Sequence, residues 1–189
     1  MHQPCTGNAV PLRARSTGAA MKLAVAVHHD GDSAVAAAVA FDEWNAPEAT
    51  RTYISRIARL EKSARGELDL RDLPGLLQLL REHALEPDLI VFDGFVHADV
   101  HETPALGRHL YHALGGRVAV IGAAKAALPG LPAQFEVIRE EDARPLWVTC
   151  VGIDLGAAKA RLRGMHGKRR VPTLLKLVAR LAKGTGAEP

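Results

Sequence analysis

The spacing of apolar residues changes part-way along the chain, and this change organises the predicted elements. The first part contains three short apolar or alternating runs: "KLAVAVHH" (22–29), "AVAAAVAFDEW" (34–44) and "TRTYISRIARL" (50–60). The Asp-Gly dipeptide after the first run predicts a tight hairpin, and β-branched residues favour a strand for the third run. The opening is therefore predicted to be a three-stranded antiparallel meander.

The second part alternates between helical patterns and buried-strand patterns. Leucines at helical spacing predict a helix over 73–85, whereas "PDLIVFD" (87–93) and "RVAVIGAAK" (117–125) are apolar throughout, as strands covered on both faces are. Further helices are predicted at 103–116, 154–167 and 171–184, and further strands at "FEVIRE" and "PLWVTCVGI". This order predicts an α/β fold of the ribonuclease H-like type, with three antiparallel strands followed by alternating helices and parallel strands in one mixed sheet.

The composition is that of a soluble globular protein. The chain has 189 residues, of which 48% are apolar and 24% charged, enough for one domain with a hydrophobic core. Residues 1–20 lack periodicity and are expected to be a disordered leader, which leaves 21–189 as a single domain. Two cysteines are too few for a disulfide framework or a cysteine zinc site, so we expect a cytoplasmic protein. No apolar run approaches the length of a membrane span.

Charge is distributed unevenly along the chain. Residues 1–153 carry 15 Lys/Arg and 19 Asp/Glu, whereas residues 154–189 carry 9 Lys/Arg and 2 Asp/Glu. A basic segment on an acidic body indicates a polyanionic partner, although a solvated helical face would have the same composition. The residues in this segment that we expect to bind such a partner, which the resemblance described below implies is nucleic acid, are Arg163, Lys168, Arg169 and Arg170.

Three acids and one lysine stand at predicted element ends, where sites of open α/β sheets form. Asp93 ends a buried strand, and an acid there is difficult to keep ionised unless it is paired or bound to a metal. Asp72 and Asp154 precede helices, so each is a candidate ligand or simply an N-cap. Lys125 ends the next buried strand and could pair with a carboxylate or a phosphate, or simply extend its charged end to the surface.

Histidines supply a separate candidate site. The stretch "HADVHE" places His97, Asp99 and His101 at alternating positions, with His109 and His112 on the following helix. Alternating donors of this kind can bind a transition metal, but an exposed polar loop is the interpretation that we favour.

Several segments, taken together and in order, resemble the endonuclease V family, which is associated with deoxyinosine in DNA. The matching segments are "LRDLPGLLQLL", "LIVFDG", "LGRHLYHALG", "RVAVIGAAK", "PLWVTCVG" and "VPTLLKLVARLAKG". The resemblance implies a ribonuclease H-like fold and, in active members, hydrolysis of phosphodiesters that depends on Mg²⁺, with Mn²⁺ as a substitute. It implies catalytic roles for Asp93, Asp72 and Lys125, and metal ligation by Asp93, Asp72 and Asp154.

The chain departs from the family at three places. The first-strand aspartate of the family aligns with Ala26, its late-strand histidine has no clear match other than Asp154, and its wedge tyrosine aligns near Ser63. His28 or His29 could substitute as donors, although imidazole suits softer metals than magnesium. Two hypotheses follow. The first is a magnesium-dependent endonuclease acting on DNA or RNA near inosine in DNA repair. The second is a weak or inactive nucleic-acid-binding protein on the same fold.

Overall fold

The computed structural model describes residues 20–58, 70–140 and 142–184. The predicted leader lies outside these residues except for its last position, and so does Ser63. The described part contains seven strands: β1 (Lys22–Asp30), β2 (Ser33–Phe41), β3 (Arg51–Ile57), β4 (Leu89–Phe92), β5 (Ala119–Ala124), β6 (Glu136–Arg139) and β7 (Asp142–Val151). Its α-helices are α1 (Leu73–Glu82), α2 (Leu106–Ala113), α3 (Leu155–Gly164) and α4 (Thr173–Ala182), and short 3-10 helices lie at Leu70–Asp72 and Ala133–Phe135.

The strands form one mixed sheet in the order β3-β2-β1-β4-β5-β7-β6. The predicted meander is confirmed, since β2 pairs antiparallel with both β1 and β3. β4 lies parallel to β1 on one side and to β5 on the other. β7 then pairs antiparallel with β5 and with β6. The order of strands and helices is that of the predicted α/β fold.

Helices cover both faces of the sheet. Alternate residues of β1 and β2 point to opposite faces, so that Leu23 and Ala36 pack with α1 and α2, whereas Ala24 and Ala37 pack with α3 and α4. Ile90 and Val91 of β4 divide in the same way and are 1% and 0% exposed, respectively. This two-sided burial explains why β4 and β5 are apolar throughout in the sequence.

The helices are shorter than the sequence patterns predicted. α2 ends at Ala113 because Gly115 and Gly116 follow with φ of +74° and +68°, a left-handed conformation that glycine adopts without strain. α3 ends at Gly164. None of the helices in the described residues is long and apolar enough to cross a membrane.

Candidate functional site

The candidate site lies where β1, β4 and β5 approach one edge of the sheet. Val25 of β1 is paired with Phe92, and Phe92 is paired with Gly122 of β5. Ala26 follows Val25 and Asp93 follows Phe92, so Ala26 and Asp93 are neighbours at the ends of parallel segments. Strand direction thus brings Asp93 to the position that an open α/β sheet offers to a ligand.

The loop after Asp93 is held against the sheet by close backbone packing. A Cβ atom on Gly122 would lie 2.4 Å from the carbonyl oxygen of Gly94, so only glycine permits this approach. The buried amide of Val96 donates a hydrogen bond of 2.8 Å to Oγ1 of Thr149. Both contacts restrain the segment that carries Asp93, and neither was identified from the sequence.

Asp93 forms an ion pair with Lys125, which follows β5. The Nζ of Lys125 lies 3.7 Å from Oδ2 of Asp93, and each side chain is 57% exposed. Partial loss of hydration raises the pKa of Asp93, while the charge of Lys125, its hydrogen bond and the charge of Arg170 act in the opposite direction. Because both side chains reach solvent, the pair is weak and remains open to a ligand.

Asp72 lies at the start of α1, where its carboxylate is hydrogen-bonded to a residue near the end of β1. Its side chain makes no capping hydrogen bond to the helix in the described part of the chain. Instead, Nε2 of His29 donates a short hydrogen bond to Oδ1 of Asp72. The exposed fractions are 21% for the His29 side chain and 31% for the Asp72 side chain. The sequence suggested His29 as a metal donor, whereas the structure gives it a contact with one of the acids.

One cavity of about 200 Å³ brings most of the predicted residues together. Its lining includes Asp72, Asp93, Lys125, Ala26 and His28. The two acids, which are separated by 21 positions in the sequence, thus reach one surface because α1 begins beside the end of β1, and β4 lies parallel to β1. The cavity also receives Lys183, which the sequence-based site did not include.

Asp154 does not join this group. β7 runs antiparallel to β5, with Val151 paired to Val120 near the beginning of β5, so β7 ends at the opposite edge from Asp93 and Lys125. Asp154 caps α3, and its Oδ2 accepts a hydrogen bond of 3.2 Å from the amide of Ala157. The expectation that Asp154 lies with the other two acids is therefore wrong, and its N-cap interpretation accounts for it.

The histidine segment is organised by contacts within its own loop. His97 is 5% exposed, and its Nδ1 donates to the carbonyl oxygen of Asp99 at 2.8 Å. The Asp99 carboxylate accepts hydrogen bonds from the amides of His101 and Thr103 and from the Thr103 hydroxyl. These hydrogen bonds lower the pKa of Asp99. The structure thus favours the loop interpretation over a transition-metal site.

The basic loop between α3 and α4 has mixed roles. Lys168 and Arg169 are exposed, as is Arg163 in the last turn of α3. Arg170 is directed back to the protein, where its guanidinium donates to the carbonyl oxygens of Pro145, at 2.8 Å and 3.0 Å, and of Lys125. Arg170 therefore orders the site and contributes positive charge near Asp93, whereas the other three residues face solvent.

A buried arginine that the sequence analysis missed holds this loop. Arg139 of β6 is 2% exposed and donates hydrogen bonds to the carbonyl oxygens of Leu162, Met165, Gly167 and Arg169. Burial lowers the pKa of its guanidinium, and the charge of Glu140 opposes this effect. The sequence signal was faint, because a lone arginine in "FEVIRE" has the pattern of a surface residue.

These residues do not fit a cluster of two metal ions. Across residues 20–58, 70–140 and 142–184, no group of three or more His, Cys, Asp or Glu side chains is arranged to hold a metal ion. Ala26 supplies no donor beside Asp93, Lys125 pairs with Asp93, and His29 binds Asp72. The basic residues Lys125, Lys176, Arg180 and Lys183 line the site and the adjoining cavity. This charge favours a bound anion over a divalent cation.

Comparison with solved structures shows which known proteins share this fold. No family model and no curated protein matches the sequence. Among solved structures, Bacillus subtilis endonuclease V has a TM-score of 0.67 and 20% identity, with 87% of this chain and 79% of that chain covered. Streptomyces avermitilis endonuclease V has a TM-score of 0.66 and 24% identity, with 88% and 81% covered. Ciona intestinalis endonuclease V, in complex with a 24mer DNA containing an inosine followed by a ribo-adenosine, has a TM-score of 0.63 and 16% identity, with 87% and 84% covered.

The order of this mixed sheet, with helices on both of its faces, is the architecture of the ribonuclease H-like fold class. Within that class, the chain has the fold of endonuclease V, as the sequence resemblance predicted. The identities are low, so the likeness establishes the architecture. What the site does has to be argued from its own residues.

Proposed function

We propose that this protein binds nucleic acid at the Asp93 edge of the sheet and has weak or no hydrolytic activity. The observation that carries this proposal is Ala26, which stands beside Asp93 where a third carboxylate would be needed to build a metal cluster. The fold supports a nucleic-acid partner, since the similar Ciona protein is bound to DNA.

The electrostatics of the site support binding of the phosphate backbone. Lys125, Lys176, Arg180 and Lys183 line the site and the cavity next to it, where Asp72 and Asp93 are the acidic residues. Lysine and arginine bind phosphates by charge and release counterions, so the affinity should fall steeply with salt. Such contacts carry no base information, so we expect little sequence preference in DNA or RNA.

A second candidate, a magnesium-dependent endonuclease, is favoured by one observation. Asp72 and Asp93 line the same cavity, and Mg²⁺ is often held by one or two carboxylates together with substrate phosphates. A bound ion would supply charge stabilisation at the phosphate, and Lys125 would bind a phosphate oxygen. In this case the protein would act as a cytoplasmic repair enzyme at deaminated bases such as inosine.

Two assays on one preparation separate the candidates. Binding of labelled DNA and RNA is measured by anisotropy in EDTA and in Mg²⁺. Cleavage of inosine-containing strands is measured with Mg²⁺ or Mn²⁺, beside an Asp93→Ala variant purified in parallel. We expect binding in both buffers and equal background cleavage by the two proteins. Cleavage by the native protein that Asp93→Ala abolishes would replace the first candidate with the second.

A further inference from the structure

Three cavities adjoin one another along α4, and we call them together the α4 trough. The first, of about 390 Å³, and the second, of about 200 Å³, share Asp93 and Lys125 in their linings. The third, of about 510 Å³, shares His28 and Lys183 with the second. The α4 trough therefore continues past the candidate site in both directions along one helix.

Basic residues follow the trough on one face of α4. Lys176 and Arg180 line the first cavity, and Lys183 lines the second and the third. Positions that differ by four and by three lie on one face of a helix, separated along its axis by about 6 Å and about 4.5 Å. All three are exposed, whereas the apolar residues Leu174, Leu175, Val178 and Leu181 of the same helix are buried against the sheet.

The positive charge extends beyond α4. Arg56 of β3 lines the third cavity with His28, and Lys125 lies between the first and second cavities. The acids Asp30, Asp72 and Asp93 also line the trough, but Asp72 is bound to His29 and Asp93 to Lys125. The charged residues that α4 and its C-terminal end contribute to the linings, Lys176, Arg180 and Lys183, are all basic, and the other α4 residues in the linings are apolar.

We infer that one strand of nucleic acid follows the α4 trough, with its phosphates bound by Lys176, Arg180 and Lys183 and without a metal ion. This inference rests on the proposed function and adds the path and the chemistry of binding. A concave trough fits a single strand better than a duplex, whose phosphates lie on the outside of a rigid rod. Contact through phosphates also agrees with an aromatic content of 4%, because strand binders that stack bases need exposed rings.

The test measures how binding of a fluorescein-labelled oligothymidine depends on salt, in EDTA, by anisotropy. Replacing Lys176, Arg180 and Lys183 by glutamine should make the slope of log K against log salt less negative by about 2, since each phosphate contact on a single strand contributes about 0.7. The matched control replaces the exposed Arg51, Arg81 and Arg117, which lie outside the trough linings, by glutamine. It removes the same charge and should leave the slope nearly unchanged.

Each outcome decides a separate point. Equal slopes for the two triple variants would overturn the α4 path while the proposed nucleic-acid binding stands. Binding that disappears in EDTA would overturn the metal-free chemistry, and tighter binding of a same-length duplex would overturn the single-strand assignment. Native protein that binds no oligonucleotide at all would refute the proposed function itself. Thermal unfolding of both variants confirms that each is folded.

Discussion

Arg139 offers the sharpest test of how the structure is held together. Its guanidinium is buried, and it donates four hydrogen bonds to carbonyl oxygens at the end of α3 and in the following loop, with distances of 3.1 Å to Leu162, 2.9 Å to Gly167 and 2.6 Å to Arg169. The fourth acceptor is the carbonyl oxygen of Met165. One side chain on β6 therefore holds the end of α3 and the following loop, whose acceptors lie 23 to 30 positions away in the sequence.

The Arg139→Met substitution keeps an unbranched apolar side chain and removes all the guanidinium N–H donors that bind the four carbonyl oxygens. Each buried carbonyl oxygen that loses its donor lowers the free energy of unfolding by about 1–3 kcal/mol. Two effects reduce this loss: water can reach part of the loop, and the variant no longer has to bury a charge. We therefore expect a net loss of about 3–5 kcal/mol, which corresponds to two or three carbonyl oxygens that stay buried without a donor. For a domain of this size, the Tm should fall by roughly 6–20 °C.

Urea unfolding followed by circular dichroism measures the loss, with the midpoint interpreted at constant m. The control is Arg144→Met on the adjacent strand β7, since Arg144 is 71% exposed and pairs with Asp142 at 2.8 Å. Although the Asp142 side chain is only 11% exposed, the guanidinium lies in solvent, so the pair contributes about 1 kcal/mol or less. If the two variants lose stability equally, the four hydrogen bonds do not hold the loop as argued here.

Three further predictions concern the site and the sulfhydryl group. The Ala26→Asp substitution should create a metal site beside Asp93, so the Tm of this variant should rise with Mn²⁺. The Tm of an Ala26→Asn control should not rise. Equal changes in Tm for the two variants would contradict the proposed geometry. The Asp93→Asn variant should be more stable than the native protein at pH 7, and its advantage in Tm should shrink towards pH 4. Burial raises the pKa of Asp93 in the folded protein, so ionisation of this carboxyl opposes folding only above its unfolded pKa. A difference in Tm that is constant with pH would refute this prediction. In a Cys5→Ser variant, the thiol of Cys150 should react with iodoacetamide at pH 8 far more slowly than free cysteine does. The reason is that burial and the charges of Asp154 and Glu102 raise the pKa of Cys150 to about 11. A rate like that of free cysteine would exclude the raised pKa.

The order of the helices and strands follows from the amino-acid sequence alone. Periodicity is a local property, so the meander, the buried strands β4 and β5 and the four helices could be recognised from neighbouring residues. The element ends were less certain, because the end of a helix such as α2 depends on the backbone conformation of a few residues like Gly115 and Gly116. Asp93 and Lys125 could also be identified, because a charge at the end of an apolar run is visible without tertiary contacts.

Which of these residues lie close together depends on contacts between segments that are distant in the sequence. Asp154 has the same local pattern as Asp72, yet the antiparallel direction of β7 sends it to the other edge of the sheet. The contact of His29 with Asp72 and the burial of Arg139 both depend on segments distant in sequence. The placement of Lys176 and Lys183 beside Ala26 follows from the packing of α4 across β1. Local sequence encodes periodicity and charge, whereas strand direction and helix packing, which come from burying the whole core, determine the chemistry of the site.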